Sequence, residues 1–184
     1  MLYTRKGDTG TTGTYGCDQR ISKSSAIAEA LGALDEANSF LGICKIKAKG
    51  FSFVLDNKEY FIAGIIDDVQ QNFFIIQAII AGFSKRLGEE KVKDVEVIID
   101  GIEKMLPPIK TFFVSGGTEL SAVMDFARTV ARRAERRVVE TGEEGKVSVP
   151  KDVSAYLNRV SSLLYALTRM ANHNAGIIEE VPEY

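Results

Sequence analysis

Apolar residues recur in steps of three and four along five segments of this chain, a period that leaves room for little except helices packed side by side. It is clearest between Pro107 and Glu140, PPIKTFFVSGGTELSAVMDFARTVARRAERRVVE, which joins an apolar loop, a Gly-Gly break and an amphipathic helix. Leu120, Val123, Met124, Ala127, Val130, Ala131, Ala134 and Val138 form one stripe that faces a core and turns the arginines away from it. Thr118 is placed to cap this helix, and Gly116-Gly117 before it permits backbone geometries or close approaches that a side chain would block. Arg128, Arg132 and Arg136 stack on one face, a like-charge arrangement costing roughly 0.2–0.5 kcal/mol per pair. Two readings stand: internal pairing of Asp125 with Arg128, Arg132 with Glu135 and Arg136 with Glu140, or a face that takes a phosphate chain.

The first helix is predicted from Ser24 or Ser25 to Lys47, with Ile27, Leu31, Leu34, Leu41 and Cys44 on its stripe. Residues 48–57 read as a loop closing on Asp56 as a cap. The second helix is predicted from Lys58 to Phe83 on a seam of Ile62, Ile65, Val69, Phe73, Ile76, Ile80 and Phe83. A third carries Val92, Val95, Ile99, Ile102 and Leu106 and is stopped by Pro107-Pro108. Beyond a polar connection with Asp152 as a cap, the last helix has Leu157, Val160, Leu164, Leu167, Ala171 and Asn174 on one seam. Asn158, Ser162, Tyr165 and Arg169 share a second, polar face suited to a subunit contact or a ligand cleft. The tail from Gly176 to Tyr184 reads as irregular. With no credible run of strands, the fold expected is an all-α bundle, one domain over residues 1–184.

Composition narrows the chemistry. The net charge of −2 gives no global basic footprint for nucleic acid, so any anion site must be local. Cys17 and Cys44 have neither metal nor redox spacing and fit a reducing cytosol. The polar start, MLYTRKGD, reads as free of a signal segment, and the apolar stretch from Phe61 to Phe83 is broken by Asp67, Asp68, Gln70, Gln71, Asn72 and Gln77. These features point to the cytoplasm and away from a membrane span.

The first residues, YTRKGDTGTTGTYG, place Gly7, Gly10, Gly13 and Gly16 at every third position among threonines and Lys6. Glycines let backbone approach a ligand, successive N–H groups form an anion nest, and hydroxyls with Lys6 add donors. The same composition also suits a flexible arm. Lys23, just before the first helix, is a further phosphate contact or a solvated charge. Asp35 sits mid-helix despite poor intrinsic propensity, which suggests an arginine partner on a neighbouring helix or a solvent-facing carboxylate. Ferritin-like metal chemistry needs a Glu-x-x-His motif on each of two helices, and the one histidine, His173, follows Arg169-Met170-Ala171-Asn172. No Ser-His-Asp or Cys-His nucleophile set assembles either.

Four blocks, YTRKGDTGTT, EALGALDEANSFLG, FFVSGGTELSAVMDFARTVARRAERRVV and YLNRVSSLLYALTRMAN, resemble the PduO-type ATP:cob(I)alamin adenosyltransferases. Most of the chain is covered in order, and ARTVARRAER preceded by SGGTEL is the most specific part. The resemblance implies a five-helix bundle assembling as a homotrimer, with ATP between subunits, a corrinoid alongside and Mg²⁺ on the triphosphate. It implies transfer of the 5′-deoxyadenosyl group of ATP to cob(I)alamin, giving adenosylcobalamin and triphosphate. A non-catalytic ATP- and corrinoid-binding trimer, acting in cofactor delivery or regulation, is the alternative. A corrinoid reductase and a B12-dependent acceptor enzyme are the implied partners.

By this resemblance Thr4, Lys6, Gly7, Asp8, Gly10, Thr12 and Lys23 bind phosphate, and Arg128, Arg132, Glu135 and Asn158 complete the nucleotide site. Asp35 is similar to the aspartate that pairs with Arg128 across helices. Phe112 is similar to the aromatic residue that displaces the lower cobalt ligand, with Phe113 beside it as the other candidate register. No protein-derived cobalt ligand is implied. Ser115 stands where the family usually has Pro, which would loosen the Phe112 loop; Ile27 replaces an Arg found in many relatives, and Ser162 a common Asp.

Overall fold

Local signals set the helix ends in the computed structural model, which describes residues 3–14, 20–145 and 147–183. Gly16 and Cys17 lie outside the described residues. Helix α1, Ala26–Lys47, starts behind Ser25, whose side chain accepts from the Ala28 N–H. Helices α2 (Ile62–Ile80), α3 (Glu89–Met105), α4 (Glu119–Glu143) and α5 (Lys151–Asn174) follow. Thr118 caps α4 as the sequence predicts, accepting from the Ser121 N–H at 3.0 Å. Leu106 is extended (φ −102°, ψ 154°), the geometry that the following Pro107 favours.

Helix α4 lies at the centre, packed against α1 on one side and α5 on the other; α2 backs onto α1 and α3 onto α5. Its whole predicted stripe turns inward, Val123 partly and the rest buried. Buried Phe73, Leu34, Met124 and Leu163 fill the space between the layers, each contributing about 1.5–3 kcal/mol by leaving water. The one large polar group among them, the Tyr156 hydroxyl, meets the Asn72 amide at 2.9 Å.

The expectation of a bundle without strands needs correcting at two places. Strands β1, Thr11–Gly13, and β2, Arg20–Ser22, pair antiparallel in the arm. Strands β3, Ser52–Leu55, and β4, Lys58–Phe61, form a second hairpin, so α2 begins at Ile62 rather than Lys58. Asp56 does not cap that helix. With Asn57 it takes positive φ (49° and 62°), forming the two-residue turn whose twist suits a tight hairpin. Leu55 then presses on α3 where Gly101 leaves room: a Cβ there would sit 2.2 Å from Leu55 Cδ2.

Three smaller expectations also change. Asp152 lies inside α5, and its carboxylate accepts from the Gly88 N–H at 2.9 Å, tying the α2–α3 connection to α5. On the α5 seam the buried amide is Asn172, whereas Asn174 is exposed. The tail has no regular structure, yet it is pinned: the Val114 N–H donates to the Glu180 carbonyl at 2.8 Å.

Candidate active site

The loop between α3 and α4 is bolted to α5 by one amide. Asn172 accepts from the Thr118 N–H and donates to the Gly116 carbonyl, both at 3.1 Å. Gly117 has φ +99°, and a Cβ on it would lie 2.4 Å from Asn172 Oδ1, so both its conformation and its contact require glycine. Ser121 Oγ adds a bond to the same Gly116 carbonyl at 2.6 Å. The result is a fixed loop that carries Phe112 over the α4–α5 face.

Between loop and helices lies a cavity of about 610 Å³, lined by Phe112, Phe113, Arg128, Arg132, Ser162, Tyr165 and Glu179 among others. Phe112 is 79% exposed and faces it without burial of its own. Phe113 is half-buried, with the Arg169 guanidinium 5.2 Å from its ring centre. The apolar wall and the arginine wall therefore meet in one space.

Asp125 organises the arginine wall. Its carboxylate accepts from Arg128 Nε at 2.6 Å through one oxygen and from the Ser115 hydroxyl through the other. Burial pushes the Asp125 pKa up, but the bonds from Arg128 and Ser115 and the Arg128 charge outweigh it and leave it below its ordinary 3.8. Of the predicted internal pairs only Asp125–Arg128 forms. Glu140 pairs with Arg137 rather than Arg136, and Glu135 accepts from the Asn158 amide at 3.1 Å rather than from Arg132. Among the described residues Arg132 and Arg136 have no ion pair, which leaves Arg132 available at the cavity.

Asp35 is exposed on α1 and does not meet Arg128 within one chain. It lines a separate open depression of about 620 Å³ with Gly13, Thr14, Leu31, Phe74 and Phe83. Nor do Thr4, Lys6, Gly7, Asp8, Gly10, Thr12 or Lys23 line the Phe112 cavity. The arm is nevertheless built. Arg20, which sequence reasoning missed, donates to Thr11 Oγ1 (2.8 Å) and to the carbonyls of Lys6 (2.5 Å) and Thr11 (2.8 Å). Lys23 donates its N–H to the Gly10 carbonyl at 3.0 Å, and its ammonium rests where a Cβ on Gly7 would be 3.1 Å away.

The Ser115–Asp125 bond, Asn172 as the loop's anchor and Glu179 as the partner of Arg169 were not read from the sequence, since each joins residues that share no helical period. His173 is exposed in the last turn of α5, and Cys44 is buried, its thiol donating to the Val123 carbonyl and pushed up to about 11 by burial. Neither is placed to act here.

A helix bundle that sets an aromatic loop against an arginine without an ion pair among the described residues defines a site with one apolar and one cationic wall. Residues 2–171 match the family described as Cobalamin adenosyltransferase. The chain belongs to that family. It is 36% identical over 192 residues to the corrinoid adenosyltransferase PduO of Citrobacter freundii, covering 99% of this chain and 54% of that protein. The chain thus spans about half the length of that relative. It is 33% identical over 180 residues to the corrinoid adenosyltransferase of Bacillus subtilis, covering 96% of this chain and 89% of that one. A solved variant of a PduO-type ATP:corrinoid adenosyltransferase from Lactobacillus reuteri, complexed with cobalamin and ATP, superposes with a TM-score of 0.87 at 26% identity over 100% of both chains.

Proposed function

We propose that this chain is a corrinoid adenosyltransferase that moves the 5′-deoxyadenosyl group of ATP to cob(I)alamin. The cavity in which the Phe112 loop meets Arg128 and Arg132 carries this reading, because it offers an apolar wall for a corrinoid and cations for a polyphosphate. In the reaction the Co(I) electron pair attacks C5′ of ATP, the cobalt–carbon bond forms, and the C5′–oxygen bond breaks with its electrons leaving on triphosphate. Cobalt is oxidised formally from Co(I) to Co(III). The attacking atom belongs to the substrate, so the protein's task is to orient the two molecules and stabilise the leaving charge.

Arg128, Arg132 and the arm residues Thr4, Lys6, Gly7, Asp8, Gly10, Thr12 and Lys23 are assigned to the triphosphate, with Glu135 and Asn158 beside them. Phe112 is assigned to the lower face of the corrinoid, where it excludes water and the axial ligand, making Co(II) easier to reduce. Among the described residues no group of three or more His, Cys, Asp or Glu side chains is arranged to hold a metal ion. Mg²⁺ takes oxygen donors, and the residues assigned to the nucleotide include two acids, Asp8 and Glu135. Glu135, whose second oxygen has no partner among the described residues, would hold it, and it would neutralise charge on the leaving group.

Assembly as a homotrimer with ATP between subunits is assigned from the family resemblance, and the division of the nucleotide residues over two surfaces supports a site shared between copies. Asp35 and the arm lie on one surface and Arg128 on another, so a complete site needs a second copy. We further assign residues 1–184 to one functional unit with 1–23 as its ATP-binding arm, a cytoplasmic setting, and as partners a corrinoid reductase and a B12-dependent acceptor enzyme. No helix among the described residues is long and apolar enough to cross a membrane.

The test is an anaerobic assay with chemically reduced cob(I)alamin, ATP and Mg²⁺, following adenosylcobalamin by absorbance and triphosphate by chromatography. Equal amounts of both products support the transferase. Folded protein that binds ATP and cobalamin yet makes neither product is a binding module instead.

A further inference from the structure

We infer that Asp125 is a shared anchor that couples the corrinoid loop to the nucleotide arginine, and that Ser115 is the positioning residue at the loop end of this link. The inference rests on the function proposed above and concerns how its two substrates sense each other. Three observations carry it. Asp125 is 7% exposed, so its charge depends on partners rather than on water. One of its oxygens takes Arg128 Nε at 2.6 Å and the other takes the Ser115 hydroxyl. Ser115 stands three residues from Phe112 in a loop held also by Asn172 at Gly116 and Thr118 and by the Glu180 carbonyl at Val114, and its hydroxyl is the loop's bond to Asp125.

Arg128 uses Nε for Asp125, and among the described residues its two outer nitrogens make no hydrogen bond, so they are free for a phosphate oxygen. A bidentate grip on an anion through those nitrogens fixes the guanidinium plane. Fixing that plane fixes the Asp125 carboxylate, since the Nε bond lies in it. Ser115, and with it the segment carrying Phe112, then has one position to bond to rather than several. The ordering is done once, by whichever ligand arrives first, so each ligand raises the affinity for the other by the same factor. Exchange of Ser115 for a residue without a hydroxyl cuts the link while leaving the Asp125–Arg128 pair and the cavity walls in place.

The measurement is a titration of cob(II)alamin into the wild-type protein and the Ser115→Ala variant, each with and without ATP and Mg²⁺. Binding is read from absorbance, and the cobalt coordination number by electron paramagnetic resonance. ATP affinity is measured separately by calorimetry. In the wild type ATP should tighten corrinoid binding and raise the four-coordinate fraction by about tenfold, within the usual range of coupling between sites. In Ser115→Ala the ATP effect should fall to about twofold or less while ATP affinity alone changes by less than about twofold, since the arginine end is intact. Ser115→Thr should restore the effect, and in an Asp125→Ala background, which leaves the hydroxyl no partner at that position, Ser115→Ala should change nothing further.

Full ATP enhancement in Ser115→Ala overturns the inference, as does the absence of any enhancement in the wild type. An equal loss of ATP affinity and enhancement also overturns it, since Ser115 would then be part of the nucleotide site itself. A wild type that binds and turns over both substrates while Ser115→Ala behaves identically leaves the transferase standing and removes only the coupling. A wild type that binds neither ATP nor cob(II)alamin removes both.

Discussion

Buried Arg169 and partly buried Glu179 form an ion pair, Nε to Oε2 at 2.9 Å, that fastens the C-terminal tail to α5 beneath the Phe112 loop. The Arg169 side chain is 7% exposed; it also donates to the Pro107 carbonyl at 3.1 Å and covers the Phe113 ring. Removing the acid strands most of a buried charge, while those remaining contacts keep the arginine in place. Glu179→Ala should therefore cost about 2–3 kcal/mol and Glu179→Gln about 1 kcal/mol. Urea unfolding of the three proteins checks this. An alanine variant with the wild-type midpoint would show that the tail holds nothing.

Much of this arrangement was legible in the sequence because helical period and capping act locally. The α4 stripe, the Thr118 cap and the Gly116-Gly117 break were readable since each depends on neighbours within a turn or two. The hairpin at Ser52–Phe61 was not. Asp56-Asn57 resembles a helix cap in isolation, and the hairpin is held by burial of Phe53 and by packing of Leu55 against Gly101, which is distant in sequence. The Asp125–Arg128 pair was among the readings, but Ser115 as its third member was not. A serine in a loop carries no periodic signal, and its partner is ten residues away across a glycine break. Asp35 was read with Arg128, whereas one chain keeps the two apart, because α1 turns Asp35 outward to a depression shared with Phe74 and Phe83.

Asp125 also makes an acid-range prediction. Its folded pKa lies below 3.8, its ordinary value, so its contribution to stability is present above that value and is lost as pH falls through the folded one. The stability difference between wild type and Asp125→Asn should be constant from neutrality to about pH 5 and shrink towards about pH 3. Denaturant midpoints across that range test it. A gap that does not narrow with acid would mean that the carboxylate's charge contributes nothing.

Asp35 and Arg128 lie on separate surfaces of one chain, so under the proposed shared site each substitution damages every site of a uniform oligomer. Asp35→Asn and Arg128→Ala should each lower turnover by about 100-fold, the scale of one lost charge-stabilising group, with helical content unchanged. Unfolding the two variants together and refolding them should regenerate some intact sites, because one copy supplies Asp35 and its neighbour Arg128. Recovered activity in the mixture, well above the residual turnover of either variant alone, marks a shared site. No recovery despite mixed assembly would place both residues in a single chain's site.

Two glycines separate backbone cost from packing. Gly64 is exposed in α2, and a Cβ there meets nothing within 4 Å, so Gly64→Ala should stabilise by about 0.5–1 kcal/mol through helix propensity. Gly101 is buried in α3 against Leu55, and Gly101→Ala should destabilise by about 1–3 kcal/mol despite the same propensity gain. Thermal unfolding should move in opposite directions for the two variants. A stabilised Gly101→Ala would show that the β3–β4 hairpin does not press on α3.

Phe112 and Phe113 are adjacent, yet their surroundings assign them different work. Phe112 is 79% exposed and lines the cavity, so Phe112→Ala should change stability by less than about 0.5 kcal/mol. Phe113 supports the Arg169 guanidinium, and Phe113→Ala should cost about 1 kcal/mol or more through that contact and the lost burial. In the corrinoid experiment the order should reverse. Phe112→Ala should abolish the four-coordinate cob(II)alamin signal and lower turnover, because nothing then keeps water or the axial ligand off the lower face of cobalt, whereas Phe113→Ala should retain both in part. Paired measurement of unfolding midpoint and cobalt coordination separates these roles. A four-coordinate signal that survives in Phe112→Ala and disappears in Phe113→Ala would assign the displacing ring to Phe113 and the support of Arg169 to a secondary part in the same loop.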